Sequence, residues 1–257
     1  MEELENQGLT DAHVHVGWYL DGYHAPGDVW QSVVAAGIGE IYVSSTSTCA
    51  ERYKLVVREM RELRRLGGER IHPLLWLTPR MLRTWGLRYM LRSKVKWQGV
   101  KMHWEAHREW FYNRKLVAQA LAVTRQLQVP LLLHTGQFKE CHAAVFEPLV
   151  AQHGDITFIL AHGRPIEETL RLLSRYENVY ADTAFMPVGD VLRLVEAGFG
   201  SRVLFGTDAP INLLFYKDLT TTEYLRRTIQ ELQRTIGEAA FRQLATQNVR
   251  RAYNTLK

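Results

Sequence analysis

Thr10-Asp11-Ala12-His13-Val14-His15, with Gly8-Leu9 leading in, reads as a short apolar strand ending in His-x-His. Residues i and i+2 of a strand point to the same side, so His13 and His15 share one face. Two imidazoles at a strand end can grip one metal ion, because neutral imidazole is a common ligand for zinc and its neighbours. A single His-x-His arises readily by chance, so its weight depends on where the other histidines and aspartates fall.

Outward from this strand, β-branched apolar runs alternate with amphipathic stretches along the whole chain. Glu40–Ser44, His72–Leu77, Gly99–His103, Pro130–His134, Ile156–His162, Val179–Asp182 and Val203–Asp208 bring the strand candidates to eight. Their nearly continuous apolar character is that of parallel strands covered on both faces. Between them, Tyr53, Val56, Met60 and Leu63 follow helical spacing that stops at Gly67-Gly68, a helix-ending signal. Leu116, Val117, Ala120, Leu121, Thr124 and Leu127 form a second helical face before Pro130. Pro165 suits the first turn of a third helix, Glu167 and Glu168 its dipole, and Ile166, Leu170 and Leu173 its apolar stripe. Strand–helix alternation eight times over predicts a (β/α)8 TIM barrel, regular or distorted, as one domain over residues 1–257. Thr220–Lys257 reads as helices that close it.

Composition narrows the function classes. The chain of 257 residues is 46% hydrophobic and 23% charged, ordinary for a soluble globular protein. Met1–Glu5 is acidic without an apolar signal-peptide core. No apolar run reaches the roughly 18–20 residues that span a bilayer. Two cysteines, Cys49 and Cys141, argue against a disulfide framework and fit a cytoplasmic location. The net charge of +5 reflects basic residues between Arg52 and Lys101. They read as a solvated helix face, and without a zinc-finger or RNA-recognition signature nucleic acid is disfavoured as a partner.

In such barrels the active site lies at the C-terminal ends of the strands. His13 and His15 end the first strand candidate, His103 the fourth, His134 the fifth, His162 the sixth and Asp208 the eighth. So many strand-end ligand types among ten histidines point to a metal site.

At these residues the chain resembles a known family. Asp11–His15, Gly99–His103, Leu133-His134-Thr135-Gly136, Ala161-His162-Gly163, Asn178–Asp182, Gly206–Pro210 and the closing Leu244–Tyr253 are similar to the amidohydrolase superfamily, most closely its amidohydrolase-2 branch of metal-dependent hydrolases and decarboxylases. The resemblance implies that His13, His15, His134 and Asp208 bind one divalent ion, most often zinc, with a position open for water. It makes Asp208 both ligand and base, and His162 the acid/base or oxyanion group, or else a second metal ligand. Lys101 stands where some members carry a carboxylated lysine bridging two metals. As an ordinary ammonium it would join His103 in binding an anionic substrate.

Arg164 and Arg80 are expected as carboxylate clamps, and Asp182 as the partner that orients a ligand histidine. Trp18, Tyr19, Tyr23, Trp104, Trp110, Phe111 and Tyr112 follow strands at the rim, suiting a pocket or a homo-oligomer contact. Cys49 reads as a bystander, His72 and His153 as structural, and His24, His107 and His142 stay open. The expected activity is hydrolysis of an ester, lactone or amide-like carbonyl in a small anionic molecule by metal-activated water. The alternative is non-oxidative decarboxylation of an aromatic or enoic acid. A TatD-like nuclease and a non-catalytic binding barrel are weaker readings, because the fourth strand ends in Lys101-Met102-His103 rather than a carboxylate and all the expected ligands are present.

Overall fold

A computed structural model describes residues 8–20 and 22–253. The acidic Met1–Glu5 stretch and residues 254–257 of the closing segment lie outside the described residues. The strands are β1 (Leu9–Tyr19), β2 (Gly22–His24), β3 (Ile38–Ser45), β4 (Ile71–Leu77), β5 (Gly99–Met102), β6 (Leu131–His134), β7 (Phe158–Ala161), β8 (Val179–Asp182) and β9 (Val203–Leu204). They form one sheet in the order β2-β1-β3-β4-β5-β6-β7-β8-β9, and every pair from β1–β3 to β8–β9 is parallel. Backbone hydrogen bonds close the seam between the last strand and the first. Ala12 N–H donates to Phe205 O at 2.8 Å, Asp208 N–H to His13 O at 2.8 Å and His15 N–H to Ala209 O at 2.7 Å. The expected α/β TIM barrel is the fold.

Helices fill the connections where the apolar spacing placed them. α1 (Pro26–Ala35), α2 (Tyr53–Gly67), α3 (Pro79–Arg83), α4 (Trp85–Arg92), α5 (Arg114–Leu127), α6 (Glu147–Gln152), α7 (Ile166–Arg175) and α8 (Val188–Leu194) lie between strands. α9 (Thr221–Ile236), α10 (Glu238–Leu244) and α11 (Gln247–Ala252) follow β9. α2 buries Tyr53, Val56, Met60 and Leu63 and stops where Gly68 takes φ +61, a conformation glycine adopts without a Cβ clash. α5 starts at Asn113, whose side chain accepts the Leu116 N–H, and it buries the expected face. α7 begins one residue after Pro165, which caps it rather than entering its first turn.

Two layers fill the barrel interior. The lower layer is apolar, with Tyr42, Leu74, Leu132, Ile159 and Leu204 closed from below by Val249, Ala252 and Tyr253. Tyr253 stacks on Tyr42 at 3.8 Å and donates its hydroxyl to Ala12 O at 3.2 Å. Two residues beyond Tyr42, Leu74, Leu132 and the partly buried Tyr180, on the same face, stand Ser44, Trp76, His134 and Asp182. Alternation therefore converts an apolar plug into a polar upper layer within one strand step. β1 departs from it, since Ala12 belongs to the plug while His13 belongs to the site. A register shift between Asp11 and Val14 against β3 accounts for this, because a bulge adds a residue and re-aims the side chains after it.

Both ends of the strand series differ from the sequence expectation. β1 does not end at His15. It continues to Tyr19 and folds back on β2 as an antiparallel hairpin, with Gly17 opposite His24 and Trp18 opposite Tyr23. Gly17 permits this, at φ +98 and with a Cβ there lying 2.5 Å from Ser47 Oγ. The eighth barrel strand has ladder pairing only at Val203–Leu204, and the chain beyond meets β1 through the seam bonds. Among the described residues no helix is long and apolar enough to cross a membrane.

Asn248 anchors the closing helix, donating to Gly200 O and Val203 O at 2.7 Å each. Asn248→Ala leaves both carbonyls without this donor and is expected to cost about 2 kcal/mol of stability, read as a lower urea midpoint.

Candidate active site

The upper layer brings three metal-ligand atoms together. His13, His15 and Asp208 each offer one donor, all within 4.8 Å of one another. His13 Nε2 lies 3.2 Å from His15 Nε2, and Asp208 Oδ1 lies 3.1 Å from the first and 2.8 Å from the second. Each ring is fixed from behind. His13 Nδ1 donates to Asp182 Oδ2 at 2.8 Å, and His15 Nδ1 faces Ser44 O at 3.3 Å and Ser44 Oγ at 2.9 Å. With the protons on Nδ1, both Nε2 lone pairs point at the same space. Burial, and then Lys101, push each imidazole down to about 3, so both stay neutral as metal ligands must. Burial by itself pushes Asp208 up, yet its place among the His13, His15 and His162 rings holds the carboxyl well below its ordinary value. Two nitrogens bound about 2.0–2.1 Å from a tetrahedral zinc stand about 3.4 Å apart, so this donor set fits a divalent ion.

Lys101 and the remaining histidines surround this cluster. Lys101 is 1% exposed, and its Nζ lies 2.6 Å from His13 Nε2 and 2.9 Å from His15 Nε2. Burial lowers it to about 8. His134 stands outside the three-atom cluster and forms a pair with His162. His162 Nδ1 donates to Ala184 O at 2.9 Å, His134 Nε2 faces Glu105 Oε2 at 3.3 Å, and the two other nitrogens, His162 Nε2 and His134 Nδ1, meet at 3.2 Å. A carbonyl and a carboxylate only accept, so a second pair of lone pairs converges beside the first. His103 stacks on His134 at 3.6 Å between ring centres and accepts the Ala106 N–H on Nδ1.

Two of these residues sit on strained backbone. His162 has φ +70 and Asp208 φ +60, a region that costs a non-glycine residue about 1–2 kcal/mol. Hydrogen bonds hold both in place, His162 N–H donating to Asp182 Oδ1 and Asp208 N–H to His13 O, each at 2.8 Å. Asp182 also accepts from Ala184 N–H at 3.1 Å. This one carboxylate thus orients a candidate ligand ring and fixes the turn after β7.

The cluster lies under a cavity of about 720 Å³ lined by Lys101, His103, His134, His162, Arg164 and Asp208 with a largely aromatic wall. The wall comes partly from the β1–β2 hairpin through Trp18 and Tyr19, and partly from Trp76, Phe138, Phe185 and Phe215. Behind the hairpin Glu59 of α2, 1% exposed, accepts hydroxyls from Ser45 at 2.5 Å and Ser47 at 2.8 Å. Ser47 Oγ in turn accepts the Trp18 N–H at 3.1 Å. Arg164 donates to Phe185 O at 2.8 Å.

Other rim expectations are corrected. Arg80 is bound to Glu51 at 2.8 Å with its side chain 71% exposed, outside the cavity. Trp104 and Trp110 are core residues, Tyr112 is exposed, and Phe111 lines a separate small cavity. The strand-end segment folds inward on Phe146, so these aromatics pack rather than line the pocket. Tyr23 and the open His24, His107 and His142 do not line the main cavity either. Cys49 lines it with a thiol raised to about 11 by desolvation. His72 pairs with Glu40, and His153 with Arg125. Two positions that line or support the cavity escape the sequence reading. Glu105 had a signal, standing two residues beyond His103, whereas Glu59 looks in sequence like any charged helix residue.

Comparison with known proteins assigns this chain to a family. The amidohydrolase family matches residues 90–255, more than half of the chain, and the protein belongs to it. No curated protein matches the chain. A solved structure of a probable 2-pyrone-4,6-dicarboxylic acid hydrolase from Acinetobacter baumannii, with citric acid bound, is similar at a TM-score of 0.70 and 12% identity, over 96% of this chain and 100% of the other. 5-Carboxyvanillate decarboxylase from Sphingomonas paucimobilis gives 0.69 at 10% identity, over 96% and 98%. 4-Oxalomesaconate hydratase from Rhodopseudomonas palustris gives 0.65 at 12%, over 96% of each. Identities this low establish the shared fold and leave the reaction to the site.

Asp182→Ala removes the acceptor behind His13 without touching a ligand atom. Divalent-metal affinity measured by chelator competition is expected to fall about 10–100-fold; unchanged affinity would sink the orienting role.

Proposed function

We propose that this chain is a metal-dependent hydrolase that directs water at the ester, lactone or amide-like carbonyl of a small carboxylated molecule. The carrying observation is the convergence of His13 Nε2, His15 Nε2 and Asp208 Oδ1 beneath the cavity. His13, His15 and Asp208 would hold one divalent ion, with His134 as the expected fourth donor. Zinc comes first on ligand chemistry. Such an ion supplies Lewis acidity and makes water acidic enough to be a nucleophile near neutral pH.

The protein's own residues do the rest. Asp208, ionised and aimed into the cluster, takes the proton of the attacking water and passes it on to the leaving group. His162 has Nδ1–H committed to Ala184 O, so in its resting form Nε2 accepts a proton and cannot donate to an oxyanion. It serves as the relay beside Asp208. Arg164 grips the substrate carboxylate, and the aromatic wall holds its apolar body and excludes water. The two cysteines, both free, fit a cytoplasmic setting.

Two specific observations favour a second reading each. The largely aromatic cavity, together with a neighbour that is a 5-carboxyvanillate decarboxylase, suits non-oxidative decarboxylation of a small aromatic or enoic acid. The paired lone pairs of His134 and His162 at 3.2 Å suit a second ion, with Lys101 carboxylated between the two.

Metal content per chain is measured by elemental analysis on protein purified without chelator. One ion per chain, lost in His13→Ala, supports the mononuclear site; two favour the carboxylated Lys101; none after reconstitution overturns the proposal. Consumption of a lactone or ester supports the hydrolase, and carbon dioxide release from an aromatic or enoic acid the decarboxylase. Asp208→Asn is expected to lower turnover of an established substrate by at least about 10³-fold, and near-normal activity would refute its role as base.

A further inference from the structure

We infer that the substrate is an amphiphile. Its carboxylate and reacting carbonyl sit on the buried floor of the cavity, and an apolar tail longer than one ring lies across the mouth between Leu20, Phe138 and Phe215. This rests on the proposed site and names its substrate class.

A gradient along the cavity carries the inference. The floor is polar and closed, with His15, Lys101, His162 and Asp208 each at most 8% exposed. The open end is apolar. Trp18, Leu20, Phe138 and Phe215 line the same cavity and are exposed by 42, 86, 57 and 66%. Three separate connections bring them together. The β1–β2 hairpin supplies Trp18 and Leu20, the segment after β6 supplies Phe138, and the segment after β9 supplies Phe215. Single exposed apolar residues are ordinary on a protein surface, whereas several gathered at one opening mark a binding surface. Because this surface is continuous with the ligand cluster through one cavity, its occupant is the far end of whatever the cluster acts on.

The size of the cavity points the same way. About 720 Å³ lies in the range of pockets that enclose a drug-sized ligand, and a single ring with one carboxylate fills only a fraction of it. Such a molecule on the floor would leave the mouth residues in water, and a second ring continuing outward would cover them. The mouth is also held ready for this contact. Arg52 lies over the Trp18 ring at 4.8 Å and Tyr23 packs on it at 5.4 Å, while Phe215 meets Phe185 edge-on at 5.4 Å. Surfaces fixed in advance lose little freedom on binding. All four mouth residues are open to solvent, so their apolar character is the same whatever ion occupies the floor.

Benzoate and biphenyl-4-carboxylate share a carboxylate and a first ring and differ by a second ring, so they are the probes. The full chain, carrying the divalent ion it binds, is titrated with each by calorimetry. The wild type is expected to bind the biphenyl acid at least about tenfold more tightly than benzoate, at one site per chain. The double variant Phe138→Ala/Phe215→Ala is expected to bring the two acids within about threefold. Trp85→Ala removes an aromatic that is 57% exposed on α4, outside the cavity, and is expected to leave the ratio where it was. Metal content retained in each variant shows that the floor is still assembled. Equal or tighter benzoate binding, no binding of either acid, a ratio unmoved by the double variant, or one lowered as much by Trp85→Ala overturns the inference. So does a dimer, seen by sedimentation, that the double variant splits into single chains, because the mouth would then be covered by a second copy. The two proposals fail separately. Preference for the biphenyl acid without turnover of any ester, lactone or amide would leave the inference standing and remove the hydrolase reading. Turnover of a one-ring ester or lactone, with no preference between the two acids, would do the reverse.

Discussion

Two imidazole lone pairs held 3.2 Å apart repel each other unless a cation stands against both, and the upper half of the barrel is built around that requirement. His13 and His15 cannot turn away, because Asp182 and Ser44 hold the Nδ1 side of each ring. They cannot relieve the repulsion by protonation either, since burial keeps them neutral. A cation is required, and Asp208 supplies the negative partner for it at 2.8 Å from His15 Nε2. The Lys101 ammonium faces the same lone pairs, which is why a lysine can be buried here at all. A divalent ion meets the same demand with twice the charge.

The barrel makes this concentration of polar groups tolerable by confining it to one layer. Below it, Tyr42, Leu74, Leu132, Ile159 and Leu204 are packed against Val249, Ala252 and Tyr253 of the closing segment. One strand step above, the same face presents Ser44, Trp76, His134 and Asp182. The left-handed backbone at His162 and Asp208 bends the chain immediately after β7 and beyond β9, aiming both side chains inward. That conformation is unfavourable by itself and persists because Asp182 and the His13 carbonyl bind the adjacent N–H groups. Asp182 thereby couples the shape of the turn to the orientation of a ligand.

The pocket wall depends on a second, separate network. The β1–β2 hairpin rests on Ser45 and Ser47, whose hydroxyls are held by the buried Glu59. Gly17 leaves no room for a side chain at that contact. Arg52 stacks on Trp18 from outside at 4.8 Å. The hairpin part of the aromatic wall is thus fastened to α2, whereas Trp76 packs on His15 of the ligand cluster at 5.4 Å between ring centres.

Much of this was legible in the chain itself. Nearly continuous apolar runs located the strands and period-3.6 patterns the helices α2, α5 and α7, because burial on both faces of a parallel strand and on one face of a helix leaves a direct imprint on sequence. Strand-end positions singled out His13, His15, His134, His162 and Asp208, because a parallel barrel gathers its strand ends in one place. Three-dimensional packing decided the rest. The bulge after Asp11, the extension of β1 into a hairpin and the folding of Trp104 and Trp110 into the core depend on contacts between distant segments. So do the pairing of His134 with His162 instead of His13, the loss of Arg80 to Glu51 and the commitment of Lys101 to two imidazoles. Which residue types reach the strand ends could be read from the chain alone, since alternation along a strand is local. Which atoms face each other there was set by packing, since tautomer, charge and distance depend on neighbours far apart in the chain, as between His15 and Asp208.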